Sequence, residues 1–358
     1  MSEAGARRRD RRVYSRAHPV VFALLGAARR RDVVKVGRTV VVSGAEEYRT
    51  ALTRVPLDRA AAGTTGGAVR ELGGGGGLFD EEGGEHRGSR RAVAEGLGAA
   101  GVERLRPVWR EVLDRRLAPL AAGGSVDLVP LARELAGATV CALLASAAPP
   151  QTVAEAAGAA AAAAVRAELP GLRSPFAARR AAGAAARLAS LLGGEGGLPA
   201  VLAVAGVNTT VAAVPRAVAW CAGAGWWEYA EADGTRAALV SELLRATAPS
   251  PVLPRVAAAD ARLGGCPVRR GDRLVLVARH AVLADRRPPD VRDPAPPELA
   301  QLVFGAGGHA CPGARLARAQ LDDVLAALAP YRPAVVRTRV DRKAALPGWR
   351  SVVLRAGR

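Results

Sequence analysis

Lysine is nearly absent from this 358-residue chain, and aromatic residues are scarce. Arginine supplies all but two of the 51 basic residues, the exceptions being Lys35 and Lys343, and 33 acidic residues leave a formal charge of +18. A charge of this size is typical of nucleic-acid-binding proteins. However, aromatic residues make up only 4% of the chain, which leaves few rings on which bases could stack. The arginines are also scattered, apart from a cluster within residues 7–12, so we expect no nucleic-acid partner. The charge instead favours an acidic protein partner or an anionic ligand.

Cysteine is rare as well, and its spacing excludes two classes of protein. No C-x-x-C pair occurs among the four cysteines, so neither a zinc site nor a disulfide framework is indicated; they are Cys141, Cys221, Cys266 and Cys311. This usage suits a reducing compartment, and we expect a cytoplasmic protein. No secretory leader follows the first arginines, and no charge-free run of 18 apolar residues reads as a membrane span.

The hydrophobic pattern predicts a mainly α protein with small β-sheets, of the α+β class. Helix dominates up to about residue 247, and apolar residues at helical spacing predict a further helix after Gly313. We expect one domain over residues 1–358, with a flexible basic terminus at residues 1–15 and a flexible glycine loop at residues 73–77. Short strands are predicted at residues 33–36, 39–42, 255–258, 273–277, 334–340 and 352–354.

The most informative segment is residues 304–313, with the sequence FGAGGHACPG. Its glycines allow the backbone to approach a flat ligand closely. Cys311 comes just before a helix, where the helix dipole and free N–H groups favour a thiolate. Such a thiolate can bind haem iron. For a lone cysteine, a buried residue in a glycine-rich turn would be the simpler interpretation.

The segment is longer than a lone cysteine and resembles the F-x-x-G-x-x-x-C-x-G ligand loop of the cytochrome P450 family. The resemblance implies a P450-like fold with a single haem-binding domain, and Cys311 as the ligand of the iron of haem b (iron protoporphyrin IX). The loop residues implied to contact the cofactor are Phe304, Gly305, His309, Cys311 and Gly313.

Glu242-Leu243-Leu244-Arg245 resembles the E-x-x-R motif of the same family. Residues three apart share a helix face, so Glu242 and Arg245 can pair. An exposed helix pair is the ordinary interpretation of such a motif, but its position before the cysteine fits the family. In the family a third residue joins the pair, and Arg292 is our candidate.

Residues 205–210, AGVNTT, resemble the family's central-helix motif. The resemblance assigns Ala205 and Gly206 to the place where O2 is accommodated, and Asn208 and Thr209 to proton delivery. The family has an acid where this chain has Asn208, and an amide cannot donate a proton as an acid does. The alternative for these polar residues is hydrogen bonding to the preceding helical turn.

A third set of residues resembles the groups that bind the haem propionates. His86 and Arg90 lie one turn apart in a motif of the form H-x-x-x-R-R, and Arg255 and His309 occupy the two other positions. Cationic and donor groups offset the cost of burying two carboxylates. A solvated surface charge would be the default for any one of them alone.

The resemblance implies a monooxygenase that hydroxylates or epoxidises a bulky, largely apolar secondary-metabolite intermediate, with O2 and two external electrons. Because no flavin or nicotinamide fingerprint is present, a ferredoxin and its reductase are implied as electron donors, with docking near Arg315 and Arg318. Two alternatives stay open. Asn208 motivates a haem-thiolate enzyme with atypical chemistry, such as coupling, nitration or rearrangement. A P450-like auxiliary that activates a partner enzyme is the other.

The chain is also shorter than is common in that family, and the shortfall lies mainly between His86 and Ala205. In the family these helices cover the substrate pocket. We therefore expect an abbreviated access region and a more open pocket.

Overall fold

A computed structural model describes residues 2–64, 66–67, 70, 78, 81, 83–168, 175–194 and 196–357. The glycine loop predicted at residues 73–77 lies outside these. Helices dominate, as the sequence predicts. They are α1 (Glu3–Ala17), α2 (Pro19–Ala28), α3 (Ala45–Thr53), α4 (Gly83–Leu97), α5 (Ala99–Ala121), α6 (Leu128–Leu143), α7 (Pro150–Glu168), α8 (Pro175–Leu191), α9 (Leu198–Ala224), α10 (Trp227–Glu231), α11 (Asp233–Thr247), α12 (Ala278–Ala281), α13 (Pro297–Ala300) and α14 (Ala314–Leu328).

The strands form small sheets, of which the largest has the order β1-β2-β8-β5-β3. Its β1–β2 hairpin turns at Gly37, whose φ of 57° favours glycine. β9 and β10 pair with each other and with β4, and β6 and β7 form a separate hairpin. The strands are β1 (Val33–Val36), β2 (Thr39–Val42), β3 (Leu57–Asp58), β4 (Ser125–Asp127), β5 (Leu253–Ala257), β6 (Ala261–Leu263), β7 (Cys266–Val268), β8 (Arg273–Leu276), β9 (Ala334–Asp341) and β10 (Gly348–Arg355).

Helix α9 forms the centre of the helical part. It packs against α1, α6, α7 and β10, and residues 212–223 are all buried. By length and composition alone α9 could cross a membrane. The burial of residues 212–223 on every side explains the apolar composition of that half of α9, because a stretch that is hydrophobic all round suits the core of a globular protein.

The first helix corrects the expectation that residues 1–15 are flexible. α1 carries Asp10, Val13 and Tyr14 on one face, and all three are buried. Asp10 Oδ1 accepts a hydrogen bond of 2.8 Å from Nε of the fully buried Arg216 on α9. The Tyr14 hydroxyl bonds to both the guanidinium of Arg216 and the carbonyl of Thr247. The basic composition of this segment conceals an apolar stripe that packs into the core.

Candidate active site

The cysteine loop lies between α13 and α14 and is fixed by backbone hydrogen bonds. The N–H of Cys311 donates to the carbonyl of Phe304 over 2.8 Å, which closes the loop just before α14 begins. Gly305 and Gly307 have φ values of 77° and 72°. A side chain at Gly307 would also approach Thr53 on α3, because its Cβ would lie 3.2 Å from Cγ2. Both glycines are therefore required by the path of the loop.

The Cys311 side chain is exposed, whereas Cys141 and Cys221 are buried. Protein atoms nevertheless crowd the Cys311 sulfur, and this desolvation raises the pKa of the thiol. The N–H of Gly313 and the guanidinium groups of Arg90 and Arg318 act in the opposite direction and favour the thiolate. Cys311 is thus the cysteine that combines access with nearby groups able to stabilise its anion.

The four residues predicted to bind propionates come together near this loop. His86 and Arg90 lie on α4, Arg255 lies on β5, and His309 lies in the cysteine loop. The His86 and His309 rings stack, and Arg90 Nη1 donates to the carbonyl of Ala310 over 2.6 Å. Burial and the surrounding cationic groups lower the pKa of His309 to about 3, and burial and Arg59 lower the pKa of Arg255 to about 10.

Arg59 belongs to the same cluster, although the sequence did not indicate it. It follows β3, its side chain is buried, and its charge depresses the pKa of Arg255, His86 and His309. Tyr48 on α3 lies beside Arg255 and is fully buried; its hydroxyl has no hydrogen-bond partner among the described residues. We name the set of Arg59, His86, Arg90, Arg255 and His309 the basic cluster.

Glu242 and Arg245 form a fully buried ion pair on α11. Arg245 Nε and Nη2 donate to the two carboxylate oxygens over 2.8 and 2.7 Å. Arg245 also donates to the carbonyls of Val282 and Pro288. Burial alone would raise the pKa of Glu242, but hydrogen bonds from Arg245 and from the N–H of Ala295 hold it below its ordinary value. The pair therefore fixes the segment that follows α12.

Arg292 does not join this pair, which corrects the sequence expectation. Its side chain is exposed and donates through Nε to the Tyr229 hydroxyl over 2.9 Å. The N–H groups of Asp290 and Ala295 reach Glu242 instead, at 3.1 and 3.0 Å. Backbone donors thus take the place expected for a third side chain.

The central-helix motif lies in the middle of α9, and its polar side chains bond to the preceding turn. Thr209 Oγ1 donates to the carbonyl of Ala205 over 2.7 Å. Asn208 Nδ2 donates to Val204 over 2.7 Å and also to Ala157 on α7 over 3.3 Å. Gly206 faces Val140 on α6, 3.4 Å from the position of a Cβ. The amide of Asn208 therefore links two helices.

A groove opens on the side of the loop where α14 begins. Its walls include Pro312, Arg315 and Arg318 together with Glu103 and Arg106 on α5. The Arg318 guanidinium lies 4.5 Å above the Phe304 ring. Arg315 is exposed, whereas Arg106 is paired with Asp323. This surface is where the sequence predicted a docking partner.

The geometry fits a haem. An exposed cysteine just before a helix, a glycine-rich loop and five cationic or donor groups suit an iron macrocycle with two carboxylates. Burial is the main cause of the lowered pKa of Arg255, and the nearby charge of Arg59 adds to it. Two carboxylates of a bound group could form charge-assisted hydrogen bonds with these cations.

Comparison with known proteins gives matches in both sequence and structure, although no family model matches. Nocardicin C N-oxygenase of Nocardia uniformis subsp. tsuyamanensis is 41% identical over 76 residues, which are 21% of this chain and 19% of that protein. A probable cytochrome P450 of Sinorhizobium fredii is 33% identical over 132 residues, or 35% of this chain and 31% of that one. The chain thus matches well under half the length of these relatives.

Similarity in structure extends much further along the chain. P450BioI, solved in complex with an acyl carrier protein carrying hexadec-9Z-enoic acid, gives a TM-score of 0.77 at 17% identity, over 96% of this chain and 99% of that one. A mutant of P450 EryK in complex with erythromycin B gives a TM-score of 0.75 at 21% identity, over 96% of this chain and 97% of that one. Epothilone B-bound P450epoK gives a TM-score of 0.77 at 18% identity, over 94% of this chain and 96% of that one.

Proposed function

We propose that this chain, a bacterial cytochrome P450 in fold, is a haem-thiolate monooxygenase that oxidises a small organic molecule with O2 and two external electrons. The observation that supports this best is the position of the exposed residue Cys311 next to the basic cluster. A haem bound here would supply the redox chemistry that inserts oxygen into a C–H or C=C bond. We propose haem b, because its two free propionates match the charge of the cluster.

The residues of this chain would have distinct tasks in holding the group. Cys311 would bind the iron, and the N–H of Gly313 would stabilise its negative charge. Arg59, Arg90 and Arg255 would bind the carboxylates, with the neutral rings of His86 and His309 as additional hydrogen-bond donors. Gly305 and Gly307 would let the backbone lie close to the macrocycle.

The substrate class is proposed to be a bulky, largely apolar intermediate of secondary metabolism. The relative named nocardicin C N-oxygenase and the neighbours solved with erythromycin B and epothilone B support it. In the family the pocket would lie under α7 and α8, which have 19 and 17 residues. The connection between them at residues 169–174 lies outside the described part, so the expected open access region stays a prediction.

Electrons are proposed to come from a ferredoxin and its reductase. Pro312, the neighbour of Cys311, lines the groove, and Arg315 and Arg318 on its wall would attract an acidic partner. We propose a cytoplasmic enzyme consisting of one haem-centred domain over residues 1–358.

One observation favours a second candidate, a haem-thiolate enzyme with atypical chemistry such as coupling, nitration or rearrangement. Both hydrogen bonds found for Asn208 Nδ2 end on main-chain carbonyls, so the amide is committed to structure. Weak proton delivery would divert electrons to hydrogen peroxide. The ratio of product to peroxide per NADH consumed distinguishes the candidates, since tightly coupled hydroxylation excludes the second one.

The decisive experiment is a difference spectrum of the reduced protein with carbon monoxide. We expect the red-shifted Soret band of a thiolate-bound haem in the parent and its loss in Cys311→Ser. Cys266→Ser, at a partly exposed cysteine away from the loop, serves as the matched control and should retain the band. A purified parent without a Soret band would overturn the proposal and favour an auxiliary protein that activates a partner enzyme.

A further inference from the structure

A cavity of about 420 Å³ lies between α7, α9 and the turn that joins β9 to β10. Its floor is made of small and apolar side chains: Ala154, Gly158, Ala162, Val207, Val211 and Leu346. The volume falls within the range typical of small-molecule sites. Gly158 opens the floor, because a Cβ at that position would meet no atom within 4 Å.

Three cations stand around the cavity, Arg133, Arg166 and Lys343, against two carboxylates, Glu155 and Asp341. Both carboxylates are already engaged. Asp341 Oδ1 accepts the N–H groups of Lys343 and Ala344 in the turn, and Glu155 Oε1 accepts from the Gln151 amide over 2.9 Å. These donors are neutral and leave both carboxylates charged, so three cations against two carboxylates give the rim an excess of one positive charge.

This rim continues into a groove along β9. The groove shares Arg133, Asp341 and Lys343 with the cavity and adds four arginines. It is lined by six cationic side chains and one carboxylate, the added arginines being Arg16, Arg339, Arg342 and Arg350. By comparison, the groove beside Cys311 has nearly equal numbers of positive and negative side chains, with three arginines against Glu103 and Asp322.

We infer that this cavity and its rim form a second binding site, for a soluble amphipathic anion with a phosphate or carboxylate head and an alkyl tail. The tail would occupy the apolar floor, and the head would lie between Arg133 and Lys343. Burial of the tail should strengthen binding roughly fourfold for each methylene group. Charge-assisted hydrogen bonds from the guanidinium would fix the head.

The site is distinct from the one that contains Cys311. None of the described residues lining it belongs to the cysteine loop, the basic cluster or α4. It shares Asn208 with the proposed active site, because Asn208 lines the cavity and its amide also bonds to Ala157 on α7. Thr209, the next residue, points about 100° away around the helix.

The test is calorimetric titration of the holoprotein with decyl phosphate below its critical micelle concentration. We expect one decyl phosphate per chain, and at least tenfold weaker binding of decanol and of inorganic phosphate, because each supplies only half of the ligand. Equal binding of decanol and decyl phosphate would overturn the role of the rim. Binding only to phosphatidylglycerol vesicles, and not to decyl phosphate, would overturn the proposal that the ligand is a soluble molecule.

Two variants place the site. Gly158→Leu should fill the floor and abolish binding, whereas Gly183→Leu on α8, whose Cβ also meets nothing within 4 Å, should leave it unchanged. Arg133→Ala combined with Lys343→Ala should weaken binding at least tenfold without filling the cavity. The Soret band should stay in place during the titration. A shifted band, or undiminished binding by Gly158→Leu and by the double variant, would refute a separate site.

Discussion

The imidazole rings of His86 and His309 stack face to face, with ring centroids 3.7 Å apart and planes inclined by 24°. Burial and neighbouring guanidinium groups lower the pKa of both rings, and that of His309 to about 3. Two neutral rings can stack without repulsion. The positive charge of the basic cluster therefore resides on its arginines, and the histidines contribute position and hydrogen bonds.

Replacement of Arg59 tests the cluster member that the sequence did not indicate. Arg59→Gln should accelerate haem loss roughly 10- to 100-fold, since a charge-assisted hydrogen bond contributes about 1.5–3 kcal/mol. Transfer of haem to an apoglobin measures the rate. Arg187→Gln, at an exposed position on α8, is the control. An unchanged rate in Arg59→Gln would remove this residue from the cofactor site.

The Glu242–Arg245 pair predicts a large effect on stability. Glu242→Gln leaves Arg245 buried without a counter-charge, so unfolding should become easier by about 3–5 kcal/mol. The exposed pair of Arg332 and Glu231 offers a matched control, and Glu231→Gln should change stability by no more than about 1 kcal/mol. Urea denaturation measures both. Equal effects would contradict the structural role of the buried pair.

A buried histidine away from the haem site should make stability depend on pH. His280 is buried and lies 3.0 Å from the Ser43 hydroxyl through Nδ1, and burial lowers its pKa to about 4 from an ordinary value of 6.5. Because the unfolded chain binds this proton first, stability is complete above pH 6.5 and falls as the pH approaches 4.

His280→Asn keeps a polar group near Ser43 but cannot titrate. Over the pH range 6.5 to 4 it should lose roughly 1–3 kcal/mol less stability than the parent. Urea unfolding at half-unit steps of pH gives the difference. Parallel curves for the two proteins would show that His280 does not titrate in this range.

Asn208 predicts that restoring the acid of the family is costly in this chain. An aspartate would lose both donor hydrogen bonds and place its oxygens against the carbonyls of Val204 and Ala157. Asn208→Asp should therefore destabilise the fold by about 2–4 kcal/mol at pH 7. Thr209→Ala loses one bond within the helix and should cost less than about 1 kcal/mol. Thermal unfolding compares them, and a fully stable Asn208→Asp would refute the argument.

The proposed docking groove is tested by charge reversal at Arg315. Arg315→Glu should slow reduction by ferredoxin about tenfold at low salt and less at high salt, because exposed charges are screened. Stopped-flow reduction under carbon monoxide measures the rate. Arg187→Glu makes the same change in net charge on α8 and should have little effect. Equal slowing by both variants would indicate a general effect of net charge instead of this groove.

The sequence predicted those features that local patterns encode. The cysteine loop, the pairing of Glu242 with Arg245 and the β1–β2 hairpin all depend on residues a few positions apart. Arg59 could not be found in this way, because it reaches Arg255 only when β3 pairs with β5, Asp58 lying opposite Val256. Arg292 was assigned wrongly because main-chain N–H groups carry no sequence signature.

The terminal helix was missed for a different reason. Ala6, Asp10, Val13 and Tyr14 recur at helical spacing and are all buried, so the signal was present. The surrounding arginines masked it, since a run of like charges ordinarily belongs to a solvated segment. The helical spacing of the apolar residues in α1 predicts its structure better than its basic composition does, because one buried stripe is enough to anchor a helix.

The contact between Asp10 and Arg216 joins residues 206 positions apart. At roughly 5–20 residues per second, a ribosome needs about 10–40 s to make the second partner after the first. During that interval α1 has no α9 on which to pack, and its apolar stripe is open to chaperones or to other nascent chains. α1 therefore cannot reach its native place before α9 has been synthesised.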